Sequence, residues 1–102
     1  MKIRVLYFDG CPGHRPAVEL VRQVLSDLKV EAQVEETEVR GAEQAERLRF
    51  LGSPTIQVNG VDIEPGAEAR SDYAMSCRMY GALGAPPRAL VEQAIRGSVE
   101  RS

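Results

Sequence analysis

The residue of this sequence best suited to chemistry is Cys11, which stands within the string DGCPGH at residues 9–14. A thiol becomes a nucleophile only as its thiolate. An apolar run precedes this string and an amphipathic stretch follows it, so Cys11 falls at a predicted helix start. The free N–H groups and the positive dipole end of a helix N-terminus favour an anion. We therefore predict that Cys11 is a reactive nucleophile; the simpler alternative is a small residue in a turn.

His14 is the only histidine of the chain and follows Cys11 within one predicted helical turn. Together with Arg15 it would add positive charge beside a thiolate, whereas Asp9 would oppose that effect slightly. We therefore count His14 with Cys11 as a candidate catalytic residue. The alternative is a solvated residue of the first turn.

Cys77 is the second cysteine, and we count it as a further candidate catalytic residue. If residues 72–80 form a helix, Tyr73, Cys77 and Tyr80 lie on one face at positions i, i+4 and i+7. That face would lie either on the Cys11 site or in the core, and the sequence leaves both alternatives open.

Metal binding is a weaker interpretation of the same three residues. Cys11, His14 and Cys77 are soft or borderline ligands, but structural zinc usually takes four ligands at tight Cys-x2-Cys spacings. The sequence lacks those spacings, so we expect no stable metal site and no cofactor. Transient capture of a thiophilic ion by the two thiols stays open.

The hydrophobic periodicity predicts elements in the order βαβαββα. Apolar positions at i, i+3, i+4 and i+7 indicate helices, and short β-rich runs indicate strands. Asn59-Gly60 between two such runs is the strongest short hairpin signal. Gly52 is interpreted as a helix stop, and the tail 97–102 is expected to fray. The predicted strands are 2–8, 31–39, 55–58 and 61–63, and the predicted helices are 15–28, 42–51 and one that Pro86-Pro87 opens.

These elements predict the α/β class and a single domain over residues 1–102. A strand–helix–strand unit requires a right-handed parallel crossover, and the hairpin adds an antiparallel pair. The result is a four-stranded mixed sheet flanked by helices. Its fourth strand returns to the edge where the first strand ends, so we expect residues 67–85 to lie over Cys11. Cys77 would then come close enough to Cys11 to form a reversible disulfide or to share one soft ion.

Two strings resemble the thioredoxin/glutaredoxin superfamily: YFDGCPGH at residues 7–14 and GSPTIQVNG at residues 52–60. In that superfamily a Cys-Pro-x-x segment at the first helix N-terminus faces a cis-proline before the third strand. The resemblance implies a thioredoxin-like fold with Pro54 cis, and a Ser53 backbone left free to pair with an extended thiol-bearing substrate. The residues that it implies as substrate contacts are Pro12, Gly13, Ser53, Pro54 and Thr55.

The sequence departs from that superfamily at His14, which stands where the second cysteine of Cys-x-x-Cys usually stands. A local dithiol cannot form there, which puts an ordinary thioredoxin or disulfide-isomerase role in doubt. A resolving thiol would have to come from Cys77 or from glutathione, as in glutaredoxin-like proteins that work with one cysteine.

Composition excludes several classes of partner. The formal net charge is −2 without a dense Lys/Arg cluster, so we expect no nucleic-acid partner, because phosphate binding needs concentrated positive charge. The apolar runs are too short to cross a bilayer. Residues 1–10 are interpreted as a strand and turn rather than a signal peptide. Two cysteines are too few for a disulfide scaffold. We therefore expect a cytoplasmic protein with no membrane partner, and the oligomeric state stays open.

Three functions remain compatible with these residues. The first is thiol–disulfide exchange with a thiol or disulfide substrate, in which Cys11 attacks and Cys77 or glutathione resolves the mixed disulfide. The second is a binding module in which Cys11 and Cys77 capture a thiophilic metal or an organomercurial. The third is a non-catalytic thioredoxin-like scaffold.

Overall fold

Four strands and three α-helices make up the part of the chain that the computed structural model describes, residues 1–76, 78 and 86–101. Within these ranges the predicted order βαβαββα is confirmed, with a short 3-10 turn at Ala67–Ala69 after the last strand. The strands are β1 (Lys2–Tyr7), β2 (Gln33–Glu38), β3 (Thr55–Val58) and β4 (Val61–Asp62), and the helices are α1 (His14–Leu28), α2 (Ala42–Leu48) and α3 (Arg88–Arg101).

The strands form one mixed sheet in the order β2-β1-β3-β4. β1 pairs in parallel with β2 and antiparallel with β3, and β3 pairs antiparallel with β4. The register sets Leu6 opposite Thr55. The end of β1 and the start of β3 therefore lie at the same edge of the sheet, and the turn Asn59-Gly60 lies at the other.

The sheet carries an apolar core on each face, because side chains of a strand alternate between its two sides. From β1, Ile3 and Val5 point towards α1 and α3, and Leu6 points to the opposite face. The α1 face supplies its predicted apolar stripe, of which Ala17, Val18, Val21, Val24 and Leu25 are buried. The opposite face holds a smaller cluster of Leu6, Val39, Ala45 and Phe50.

Two predicted helix C-termini are wrong, and β1, β2 and β4 are one to three residues shorter than predicted. α2 ends at Leu48, before Gly52, with Arg49 in the left-handed region at φ 59°. The chain leaves the helix there because Phe50 and Leu51 turn into the core. α3 continues to Arg101, so the tail does not fray before that residue. Ser98 in this last part is buried and accepts a 2.8 Å hydrogen bond from the Asn59 amide.

Of the two alternatives for residues 67–85, irregular chain or a short helix over 72–80, the residues described there show no helix. The Ala74 N–H donates to the Phe50 carbonyl at 3.2 Å, so this stretch bonds across to another loop rather than to itself. We call residues 74–76 and 78 the return segment, and residues 50–55 the proline loop. The return segment runs along the proline loop at the edge where β1 ends, as the topology predicts for that part of 67–85.

Candidate functional site

Cys11 lies in the turn between β1 and α1, which we call the thiol loop (residues 8–13). Its N–H donates to the Phe8 carbonyl at 3.2 Å, and its own carbonyl accepts from the His14 N–H at 3.3 Å. The thiol is free and half-buried. Gly13 is the N-cap residue of α1, and no side chain caps this helix start. The thiol therefore precedes α1 in an accessible turn, as predicted, and its nucleophilic role stays a prediction.

Phe8 connects the thiol loop to the proline loop. Its carbonyl accepts from Cys11, and its N–H donates to the Ser53 hydroxyl at 3.3 Å. The Ser53-Pro54 peptide bond is cis. The predicted cis-proline at the same edge of the sheet as Cys11 is therefore confirmed.

The backbone of Ser53 is already paired within the chain. Its N–H donates to the Ser76 carbonyl at 2.8 Å, and its carbonyl accepts from the Arg78 N–H at 2.8 Å. Both Ser53 and Pro54 are buried. The expectation of a Ser53 backbone free for an extended substrate is wrong, because the return segment uses the donor and the acceptor that such a substrate would need.

Arg78 holds the return segment to the sheet. Its guanidinium donates to both carboxylate oxygens of Asp62, at 2.8 and 3.0 Å, and to the Thr55 hydroxyl at 3.2 Å. The Arg78 side chain is 5% exposed and that of Asp62 is 10% exposed. Such a bidentate pair is geometrically specific, and it joins the return segment to β4. Sequence reasoning missed both residues.

Thr55 connects the Arg78 guanidinium to the backbone of the proline loop through its hydroxyl group. It is fully buried, accepts from Arg78 and donates its hydroxyl proton to the Gly52 carbonyl. Direct contact between Thr55 and a substrate stays a prediction.

Gly52 meets the return segment at close range. A Cβ at this position would lie 3.0 Å from the Arg78 Cβ and 3.1 Å from the Ser76 carbonyl oxygen, and the backbone has φ +125°. Both the conformation and the space therefore favour glycine. The residue interpreted from sequence as a helix stop serves instead as the surface against which the return segment packs.

His14 is held against the sheet rather than solvated. Its ring stacks on Tyr7 with centroids 3.6 Å apart and planes 4° from parallel. Its Nε2 lies 2.7 Å from Glu36 Oε1. Since an ionised carboxylate only accepts, Nε2 carries the proton in this bond. His14 is thus positioned by β1 and β2, and a catalytic role for it stays a prediction.

Sequence reasoning assigned no chemistry to Glu36. The register sets it opposite Val5, whose side chain points towards α1. Because side chains alternate along β2, the sequence could have predicted that the Glu36 carboxylate lies on the same face of the sheet as α1 and His14.

An open groove of about 380 Å³ borders the thiol loop. Its apolar wall combines Phe8 and Val39 with Met75 of the return segment, and an ion pair between Arg40 and Glu38, 3.1 Å apart, stands at its rim. Asp9 of the thiol loop also lines the groove. An apolar surface therefore lies within reach of the Cys11 turn.

The remaining predicted site residues divide into described and undescribed positions. Pro12 is exposed in the thiol loop, and Gly13 is the N-cap residue that precedes α1. Cys77 lies outside the described residues, so its predicted meeting with Cys11 stays a prediction. In the described part of the chain no group of three or more His, Cys, Asp or Glu side chains is arranged to hold a metal ion. Nor is any described helix both long and apolar enough to cross a membrane.

Comparison with known proteins gives one match. Residues 14–95 fit the family model described as Domain of unknown function (DUF2703). This chain belongs to the DUF2703 family. The matched range begins at His14, so it contains α1, the proline loop and the return segment but not Cys11. No curated protein and no solved structure matches the chain.

Proposed function

We propose that this DUF2703 chain is a thiol-based redox protein with a thioredoxin-like fold, and that it carries out thiol–disulfide exchange through Cys11. One observation carries the proposal: Phe8 hydrogen-bonds both Cys11 and Ser53, so a half-buried free thiol and a cis-proline loop share one sheet edge. The strand order β2-β1-β3-β4 with a parallel β1–β2 pair supports the thioredoxin-like assignment.

The proposed reaction is an exchange that needs no external oxidant. The Cys11 thiolate attacks one sulfur of a disulfide, the S–S bond breaks, and the departing thiolate takes a proton from solvent. A mixed disulfide remains on Cys11. A second thiol then attacks this bond and releases Cys11. His14 carries no thiol, so the resolving group is Cys77 or glutathione.

His14 acts in this proposal as a positioning residue. Its backbone N–H bonds the Cys11 carbonyl, and its ring is fixed by Tyr7 and Glu36. The start of α1 is thereby tied to both β1 and β2, which holds the thiol loop over the edge of the sheet.

The test is the reduction of hydroxyethyl disulfide with glutathione as donor, for wild type, Cys11→Ser and Cys77→Ser. We expect turnover by wild type and loss of turnover in Cys11→Ser to the uncatalysed rate. Cys77→Ser separates the resolving thiols: full activity assigns glutathione, and accumulation of a Cys11 mixed disulfide assigns Cys77. If wild type shows no turnover but binds one mercuric ion per chain through both thiols, the exchange proposal is wrong and the chain is a capture module.

A further inference from the structure

We propose that the Cys11 site acts on low-molecular-weight thiols and disulfides and discriminates against disulfides held in extended polypeptides. This inference rests on the proposed exchange function. The return segment carries it, since this part of the chain occupies the backbone edge on which an extended substrate would pair.

An extended peptide gains its affinity for a sheet edge from main-chain hydrogen bonds. At the proline loop the groups for such bonds are the N–H and the carbonyl of Ser53. Ser76 and Arg78 engage both at 2.8 Å, and Ser53 is 1% exposed. A peptide could pair there only after displacing the return segment.

Displacement is opposed by contacts on two sides. The Arg78 guanidinium makes two bonds to Asp62 and one to Thr55, all largely out of solvent. Displacing the segment would separate Arg78 from Asp62 and from Glu64, whose Oε2 lies 3.5 Å from the guanidinium. Removing an ion from such a largely buried pair is strongly unfavourable. On the other side, the return segment packs so close to Gly52 that a Cβ at this position would lie 3.0 Å from the Arg78 Cβ.

The thiol itself stays within reach of a small molecule. Cys11 is half-buried rather than covered, and the neighbouring groove of about 380 Å³ offers Phe8, Val39 and Met75 to an apolar substituent. A small disulfide needs no main-chain hydrogen bond to the protein, so it can reach Cys11 while the return segment stays in place.

The test compares hydroxyethyl disulfide with an eight-residue extended peptide that carries its cysteine as the mixed disulfide with mercaptoethanol. A third substrate is the same peptide N-methylated at both residues flanking the cysteine, which removes its pairing donors. In wild type we expect the small disulfide to react with Cys11 faster than either peptide, because the return segment covers the edge along which a peptide chain would have to lie. A free edge would instead favour the unmethylated peptide by about tenfold, the scale of one or two main-chain bonds. The two peptides should react at equal rates.

The matched variant is Asp62→Asn/Arg78→Gln, which removes the ion pair without leaving a lone charge, with Arg88→Gln on α3 as control. We expect the double variant to react several-fold faster with the unmethylated peptide only. Arg88→Gln should keep the wild-type pattern. Hydrogen exchange at the backbone amides of positions 53 and 78 reports whether the segment has been released.

A wild-type chain that reacts with the unmethylated peptide faster than with the small disulfide overturns the inference, and this comparison needs no variant. So does a folded double variant with rapid amide exchange and no gain with the unmethylated peptide. A different result refutes the proposed function instead: reaction of hydroxyethyl disulfide with wild type at the rate of Cys11→Ser.

Discussion

The thiol loop and the proline loop meet at Phe8, yet they are held in opposite ways. The thiol loop contains a half-buried cysteine, an exposed proline and turn hydrogen bonds of 3.2 and 3.3 Å. The proline loop is buried, and its Ser53 backbone makes two bonds of 2.8 Å to the return segment. The Cys11 thiol is half-buried, whereas the backbone of Ser53 beside it is fully engaged within the chain. The exposure of the thiol and the closure of the proline loop are therefore separate features of this sheet edge.

The largest expected effect comes from breaking the ion pair that closes the proline loop. Arg78→Ala should lower the free energy of unfolding by about 3–5 kcal/mol, because it removes the cation that pairs with the nearly buried Asp62 carboxylate. The control is Arg88→Ala, whose side chain is 40% exposed and pairs with Asp27; it should cost about 0–1 kcal/mol. Urea unfolding measures both. Equal losses in the two variants would mean that the return segment is not held more firmly than the surface.

The next effect concerns the close packing at Gly52. Gly52→Ala should destabilise the fold by about 2–4 kcal/mol, since strain from positive φ adds to a clash with Arg78 and Ser76. Gly66→Ala is the matched control, because Gly66 has φ +83° but nothing within 4 Å of an added Cβ. It should cost about 1 kcal/mol. The difference between the two in thermal unfolding reports the contact with the return segment together with the less favourable φ of Gly52. Equal losses would show that the contact with Arg78 and Ser76 contributes nothing.

A smaller effect tests the bond that joins the two loops. Ser53→Ala removes the hydroxyl that accepts from the Phe8 N–H, so it should cost about 1 kcal/mol and loosen the thiol loop. Ser26→Ala, on the exposed face of α1, should change stability by no more than about 0.5 kcal/mol. Chemical unfolding compares the stabilities, and the Cys11 alkylation rate should rise in the first variant alone. Unchanged alkylation in both would show that Phe8 does not couple the loops.

The smallest effect lies in the exposed stretch before the return segment, at the ion pair between Arg70 and Asp72. Hydrogen bonds from Arg70 lower the pKa of Asp72 below its usual value. A carboxylate whose pKa is lowered by folding stabilises the folded state above its unfolded pKa, and this contribution is lost as pH falls through the folded pKa. Arg70→Ala should therefore move the Asp72 titration midpoint upward in carboxyl NMR. Both side chains are exposed, so added salt should reduce the shift. An Asp72 midpoint that is unchanged in Arg70→Ala would show that Arg70 does not lower the pKa of Asp72.

Much of the fold was predictable because its signals are local and periodic. The α1 stripe, the Asn59-Gly60 turn and β3 each depend on residues close together in the chain, and all three agree with the structure. The position of the cis-proline opposite the thiol followed from the resemblance together with the strand order.

The closure of the proline loop was not predictable, since it depends on residues distant in sequence. Arg78 reaches Asp62 and Thr55 from a segment that packs against Gly52, so three distant stretches of the chain contribute to the closure. The helical spacing of Tyr73 and Cys77 favoured a helix, but backbone pairing with the proline loop decided the conformation of the residues described there. No short-range sequence pattern distinguishes a helix from a segment that pairs with a distant loop.

The most direct test of the account is to identify by peptide mass spectrometry which cysteine first forms a mixed disulfide when folded protein meets a substoichiometric amount of hydroxyethyl disulfide. The account predicts that Cys11 is modified first, and faster in the folded protein than in urea. Modification of Cys77 first, or equal rates for Cys11 in folded and unfolded chains, would contradict the assignment of Cys11 as the nucleophile.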